Sequence, residues 1–406
     1  MNRQAIKNLT IYGGVNGFKS LVPLLMLPIL TTHLSANDFA ALSLIETTVL
    51  IITPFILMNI QGSISVEYYH LSKDELGEYI VNALILSCCF FFLFFLIITV
   101  FSDFLYSIFD IKSEILQLIL VFGMLRVVTT VVLGLHHIRS ESNRFALLSI
   151  LQIIIDFSLS FYFVVILNLG SDGRLGGVYG AFMICSLIGI IELKKMGYLN
   201  NVSFRYTKKI LSFGLPMIPH AIGGTIIAMS DRYFIHSFQG SEQLALYVVA
   251  YQVSAVMLLV GVTVNQVWVP ILFPLLKSNY IKKSYYYLLL ISIAFIGMSV
   301  LIILLKDLLF YLFVGVDFIQ AKIFFEWLLL GFLFQSLYMV VSSYLFFYKK
   351  TKKLATLTVF SAILNAILNY YLIGVYGTIG AAYASVAVWI VFFILTSFMV
   401  LKSVWK

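Results

Sequence analysis

Apolar stretches of about 20 residues, separated by short polar loops, recur from one end of this chain to the other. A helix rises about 1.5 Å per residue, so each stretch matches a hydrocarbon layer about 30 Å thick. A peptide group in that layer finds no water, so a crossing segment must satisfy its own N–H and C=O groups as helix. Composition leaves no soluble alternative. Of 406 residues, 61% are hydrophobic and 11% charged, against about 25% charged in a soluble domain. A soluble fold of this length would need a polar skin that these residues do not supply. Polar residues from Asn2 to Asn8 lead straight into the first apolar segment, with no small-residue cleavage site before the second, so no removable signal peptide is expected.

The spans run at roughly 10–32, 39–61, 79–101, 115–137, 146–168, 177–194, 211–236, 245–275, 285–305, 318–348, 354–375 and 378–401. The eighth and tenth exceed a single crossing, which predicts tilt or extension into water. With the N-terminus in the cytoplasm, nineteen Lys and Arg outside the spans fall on the cytoplasmic side, among them Lys73, Arg139, Arg144, Lys194 and Lys195. The other side receives four: Lys112, Arg174, Lys306 and Lys322. That asymmetry puts both termini inside. The net charge of +8 then marks topology and attraction to anionic lipid, not a nucleic-acid surface.

Two landmarks recur in order. Asp38-Phe39-Ala40-Ala41-Leu42-Ser43 opens the second span and Glu242-Gln243-Leu244-Ala245-Leu246-Tyr247 the eighth. Val178-Tyr179-Gly180-Ala181 opens the sixth and Thr378-Ile379-Gly380-Ala381 the twelfth. The pattern predicts an all-α polytopic membrane protein of about 12 transmembrane helices, in two six-helix bundles related by a pseudo-twofold axis along the membrane normal. Residues 1–195 and 211–406 form the bundles, and 196–210 a cytoplasmic linker.

All seven prolines lie in the leading helix pair of each half: Pro23, Pro28 and Pro54, then Pro216, Pro219, Pro270 and Pro274. Proline removes a backbone bond, which a membrane tolerates only where neighbours or a watery cavity satisfy the freed groups. Pro23, Pro28, Pro216, Pro219 and Pro270 are the candidate gating kinks, with static packing kinks as the alternative. Ionisable residues within spans are expensive and mark function or pairing. Lys19, Arg126 and Asp156 fall near mid-span in the first half, Glu46 in the outer third of span two, and Asp231-Arg232 toward the outer end of span seven. Lys19 and Arg126 suit an anionic headgroup such as a pyrophosphate. Asp156, Glu46 and Asp231 are candidates for coupling to an H+ or Na+ gradient. An Arg126–Asp156 pair that only locks helices four and five is the alternative, and Glu326 reads as interfacial.

Asn265, Gln266 and Trp268 precede Pro270, and Asn365 and Asn369 share one helix face. They line a sugar-accessible cavity or bond between helices. His220 could titrate near neutrality but reads as structural. Cys88, Cys89 and Cys185 all lie in apolar stretches and read as packing residues. No Gly-rich loop ending in Gly-Lys-Ser/Thr, His-Glu-x-x-His or Gly-x-Ser-x-Gly occurs, and no external loop is long enough for a catalytic domain, so no enzyme activity, metal or bound cofactor is expected.

The runs Leu215-Pro216-Met217-Ile218-Pro219-His220, Ser230-Asp231-Arg232-Tyr233-Phe234-Ile235, Leu246-Tyr247-Val248-Val249-Ala250-Tyr251 and Asn265-Gln266-Val267-Trp268-Val269-Pro270 resemble the Wzx-type polysaccharide flippases of the multidrug/oligosaccharidyl-lipid/polysaccharide exporter superfamily. The resemblance implies a bacterial inner-membrane protein that moves undecaprenyl-pyrophosphate-linked oligosaccharide units, for O-antigen or another surface polysaccharide, to the periplasmic leaflet by alternating access. It implies partners in membrane lipid, a polymerase and a chain-length regulator, with no nucleic acid. By motif it makes Asp231, Arg232, Gln266 and Trp268 candidate functional positions. Such proteins often carry an Arg near the aromatic pair after span two, whereas this chain has Glu67 before Tyr68-Tyr69. Two other readings remain: a cation-coupled multidrug exporter, whose site would be more acidic, and a polytopic sugar polymerase or ligase on the same lipid carrier.

Overall fold

The computed structural model describes residues 3–104, 113–199 and 201–404; Lys112, Lys406 and the side chain of His220 lie outside the described residues. Its helices are α1 (Arg3–His33), α2 (Ala36–Leu57), α3 (Ile60–Glu67), α4 (Lys73–Val100), α5 (Ser113–Ile138), α6 (Ser142–Phe161), α7 (Gly170–Met196) and α8 (Thr207–Gly214). There follow α9 (Met217–Met229), α10 (Asp231–Ser254), α11 (Val256–Lys277), α12 (Ile281–Leu304), α13 (Lys306–Phe313), α14 (Lys322–Phe347), α15 (Thr351–Tyr376) and α16 (Ile379–Val404). A π turn, Tyr162–Ile166, ends α6, and a 3-10 segment, Val316–Ala321, leads into α14. The described residues contain no strand.

Eleven segments among the described residues are long and apolar enough to cross a membrane, and one of them, Thr207–Lys277, has 71 residues. That segment makes two crossings. Asp231 and Tyr247 are hydrogen-bonded, although 16 residues of straight helix would hold them about 24 Å apart. The chain folds back at Gly240, whose φ of 83° and ψ of 179° are open to glycine and strained for other residues. Among the described residues the count is therefore twelve, as the hydropathy predicts. The short helix α13 was not foreseen.

Contacts divide the chain into two compact units, residues 1–15 with 44–222 and residues 16–43 with 223–406. In the first, Ile56, Ile60, Tyr79, Ile80, Val127, Val131, Leu135 and Leu193 form an apolar core from α2 to α7. The stretch read as a linker is firmly built into this unit. Tyr198, Tyr206 and Ile210 are buried. Lys209 Nζ donates to Glu67 Oε2 at 2.6 Å, Arg205 Nη2 to Glu75 Oε1 at 2.9 Å, and Asn82 Nδ2 to Thr207 Oγ1 at 3.2 Å. α4 starts with a capping box, Ser72 accepting from the Glu75 N–H while the Glu75 carboxylate accepts from the Ser72 N–H.

Pro54 cannot donate to the Leu50 carbonyl, yet α2 runs through it and breaks later, at Met58 and Asn59, with φ of 42° and 48°. The end of α8 covers that break. A Cβ on Gly214 would lie 2.3 Å from the Met58 carbonyl oxygen and 2.9 Å from its Cβ. The second unit packs Tyr247, Val249, Ala250, Val253 and Met257 against Phe325, Leu329, Val340 and Tyr344, with Ala381, Ala382 and Ala384 of α16 fully buried. Small residues allow such close helix approach where lipid offers no hydrophobic drive. Gly214→Val should lower stability by about 1–3 kcal/mol through overpacking at the Met58 break. Gly224→Ala, where a Cβ meets nothing within 4 Å, should leave it unchanged. Thermal unfolding of the two detergent-purified variants checks the contrast.

Candidate functional site

α9 ends at Met229 and α10 begins at Asp231, so the Ser230-Asp231-Arg232 corner brings backbone and side-chain polar groups into the second unit. Asp231 and Arg232 are each 3% exposed. A buried carboxylate persists only if its oxygens are bonded. Asp231 accepts from the Tyr247 hydroxyl and, at 2.9 Å, from the Arg232 N–H. The Arg232 guanidinium lies 5.3 Å from the Tyr251 ring centroid and donates from Nη1 to the Ser43 carbonyl at 3.4 Å. One residue earlier, Ser230 Oγ donates to Asn365 Oδ1 at 2.8 Å, and that oxygen also accepts from Asn369 Nδ2 at 2.9 Å. Asn369 is fully buried, and its Oδ1 has no hydrogen-bond partner among the described residues. The cluster thus holds one carboxylate, one guanidinium, two phenols and a spare amide oxygen away from solvent.

The charged groups of the first unit are arranged differently. Arg126 on α5 rests between aromatic faces, its Cζ 5.6 Å from the Phe122 centroid and 5.5 Å from that of Phe182. Its Nε is buried without a hydrogen-bond partner, and no carboxylate forms an ion pair with it among the described residues. Asp156, its partner in the alternative sequence reading, is bound instead to Arg174 Nη1, with Arg174 Nη2 at 3.5 Å from Oδ2. Ser160 Oγ adds a bond to Asp156 at 3.1 Å. Arg174, read from sequence as an external loop residue, therefore joins α7 to α6, and Arg126 is left as a cation cradled by π faces.

The remaining candidates are dispersed. Lys19 on α1 and Glu46 on α2 are exposed side chains. Gln266 is exposed on α11, while Trp268 two residues on is 2% exposed and donates Nε1–H to the Val340 carbonyl at 3.1 Å. Asn265 accepts from Ser343 Oγ at 3.1 Å. Of the candidate kinks, Pro216 sits at the break between α8 and α9, Pro219 on the first turn of α9, and Pro23, Pro28 and Pro270 inside continuous helices. Pro23, Pro216, Pro219 and Pro270 are exposed, and Pro28 is half-buried. Glu326, expected at the interface, is exposed and bonded to Lys306 Nζ at 2.7 Å. Glu67 is the acid that holds Lys209.

Sequence reasoning named Asp231-Arg232 and the Asn365/Asn369 face separately, without joining them through Ser230. It missed Tyr247 and Tyr251, whose signal was the fold-back at Gly240: an antiparallel pair centred there sets residue 231 near 247–251.

These features define the class: a multi-pass, all-helical membrane protein with two six-helix bundles. An inward-facing multidrug resistance MATE family transporter of the MOP superfamily superposes with a TM-score of 0.76 at 16% identity, over 97% of this chain and 95% of the other. The lipid II flippase MurJ, in an inward closed conformation, does so with a TM-score of 0.74 at 16% identity, over 96% and 88%. Residues 5–276 match the polysaccharide biosynthesis protein family. The chain belongs to that family. Two Haemophilus influenzae proteins resemble it over most of their length. One, described as an uncharacterized membrane protein, is 24% identical over 355 residues, 84% of each chain. The other, Lsg locus putative protein 1, is 23% identical over 364 residues, 85% of each.

The Asp156–Arg174 pair generates a stability prediction. Removing one partner leaves a charge in a poor dielectric, whereas replacing both does not. Arg174→Gln should destabilise by about 1–3 kcal/mol, less than a fully buried pair would because 12% and 19% of the two side chains remain exposed. The Asp156→Asn/Arg174→Gln double variant should recover at least half of that loss in a thermal double-mutant cycle.

Proposed function

We propose that this protein is a flippase that carries undecaprenyl-pyrophosphate-linked oligosaccharide repeat units from the cytoplasmic to the periplasmic leaflet of the bacterial inner membrane, supplying O-antigen or a related surface polysaccharide. The observation that carries this reading is Arg126, a cation inside the first unit's membrane-spanning helices with aromatic neighbours and no acid partner among the described residues. An uncompensated guanidinium at membrane depth is costly unless an anion visits it. A pyrophosphate offers the bidentate oxygens that Arg binds best; Lys19, the other cation read from the sequence, belongs to the second unit and is tested separately. The polyprenyl tail remains in lipid while the sugars meet the polar interior, with both termini in the cytoplasm as the charge asymmetry requires. Membership of the polysaccharide biosynthesis family supports the substrate class. In this reading bundles 1–195 and 211–406 are the moving parts, and the flexing falls at Pro216 and Pro219 of the seventh crossing, because residues 196–210 are anchored to the first unit.

Coupling to an H+ or Na+ gradient falls to Asp231. Its carboxylate is buried, bonded to Tyr247 and adjacent in the chain to the Ser230–Asn365–Asn369 oxygens. Oxygen donors in a dry site suit a proton or a small hard cation. The same buried acid is the observation that favours a second reading, the cation-coupled multidrug exporter.

Two experiments separate the readings. In a deletion strain, Lys19→Ala and Arg126→Ala should each reduce surface polysaccharide at least about tenfold, with membrane levels held equal by immunoblot. Normal polysaccharide in both would end the cationic-site reading. The deletion itself should leave susceptibility to lipophilic cationic dyes unchanged; hypersensitivity would favour the exporter. Asp231→Asn should remove the dependence of transport on the gradient in reconstituted vesicles, and an unaltered dependence would discard Asp231 as the coupling group.

A further inference from the structure

The end of the first unit where α4 and α6 begin and α5 and α7 finish contains a basin of about 810 Å³. Four cations from three separate parts of the chain line it: Lys73 at the start of α4, Arg139 in the α5–α6 turn with Arg144 on the first turn of α6, and Lys195 at the end of α7. Tyr68, Tyr198 and one carboxylate, Glu192, complete its polar wall. By sequence these residues only report topology; folding brings them to one concave surface.

The acids at this end are already engaged. His136, fully buried below the basin, places Nδ1 2.8 Å from Glu141 Oε2 and Nε2 2.7 Å from Glu192 Oε2. One buried ring thus engages both carboxylates. Glu141 is held further by Arg139 Nη2 at 2.9 Å, with Arg144 Nη1 at 3.6 Å. Glu75 is spent on its Ser72 cap and Arg205. Lys73 and Lys195 are exposed and form no ion pair among the described residues. Burial holds the Tyr198 phenol above its ordinary pKa, so it stays neutral and keeps its O–H to donate. The basin therefore holds positive charge in excess of what its own acids neutralise.

We propose that this basin is a binding site for a phosphate-bearing anionic headgroup at the membrane surface, distinct from Lys19 and Arg126. Two ammonium groups, an arginine fork and a phenol, facing a cavity large enough for a diphosphate, are the donor set that phosphate oxygens accept. Only its assignment to the cytoplasmic face rests on the orientation proposed above; binding itself requires no transport. The headgroup can come from an anionic phospholipid of the leaflet or from a diphosphate compound arriving from water, and both present the same oxygens.

The test uses the full-length protein in nanodiscs of phosphatidylcholine, titrated calorimetrically with inorganic pyrophosphate. The native protein should bind, and the Lys73→Gln/Arg144→Gln/Lys195→Gln variant should bind at least about tenfold more weakly. A Lys194→Gln/Lys208→Gln/Lys277→Gln control, which removes the same charge outside the basin, should match native. Nanodiscs containing phosphatidylglycerol distinguish the sources. A severalfold weakening of pyrophosphate binding in native protein, absent from the basin variant, assigns the site to lipid headgroups, and no weakening assigns it to the diphosphate. Equal affinities for native and basin variant at equal melting temperature, or no binding by native protein, would overturn the proposal. Because no transport is measured, either outcome leaves the flippase reading to stand or fall on Lys19 and Arg126.

Discussion

Leaving a peptide group unbonded in hydrocarbon costs several kcal/mol, and the architecture of this chain follows from avoiding that cost twelve times. Each crossing is helix because only helix closes its own hydrogen bonds, and departures from helix occur where something else covers the backbone. The break at Met58–Asn59 is the clearest case: the end of α8 lies against it so closely that only Gly214 fits. Side-chain hydroxyls serve the same need, as where Ser87 Oγ donates to the Ile56 carbonyl at 3.0 Å and Ser254 Oγ to the Phe325 carbonyl at 3.1 Å.

Charge in the same medium obeys the same accounting, with different answers in the two units. Asp156 is neutralised by Arg174, and Asp231 is held by Tyr247 beside Arg232. Arg126 has aromatic rings and no acid. The difference between a satisfied pair and a cation left to π faces is what separates a structural charge from one that can recruit an anion, and it underlies the transport reading more than any single motif does.

The spans, their number and the side bearing most of the cations were legible because hydropathy and charge are sums over many residues, in which single errors cancel. The Asp231-Arg232 corner was legible as a motif. Its meaning was not, since Tyr247 reaches it only through the fold-back at Gly240 and Asn365 only through packing of α15. Prolines marked the leading helix pair of each half as broken, but the break in the second span falls past Pro54 at Met58–Asn59, where the end of α8 lies against it. The stretch 196–210 looked like a linker because it is polar, yet Glu67, Glu75 and Asn82 supply partners that convert those polar residues into anchors.

By itself the sequence determined that this protein lives in a membrane, how many times it crosses and where its positive charge concentrates, since these depend on transfer of residues between water and lipid. Tertiary structure decided which charges are spent and which remain available. Asp156 took Arg174, His136 took two glutamates, and Lys73, Arg139, Arg144 and Lys195 met at one basin. Pairing depends on distances of a few ångströms between helices far apart in the chain, and no periodicity along a single strand of sequence encodes those distances.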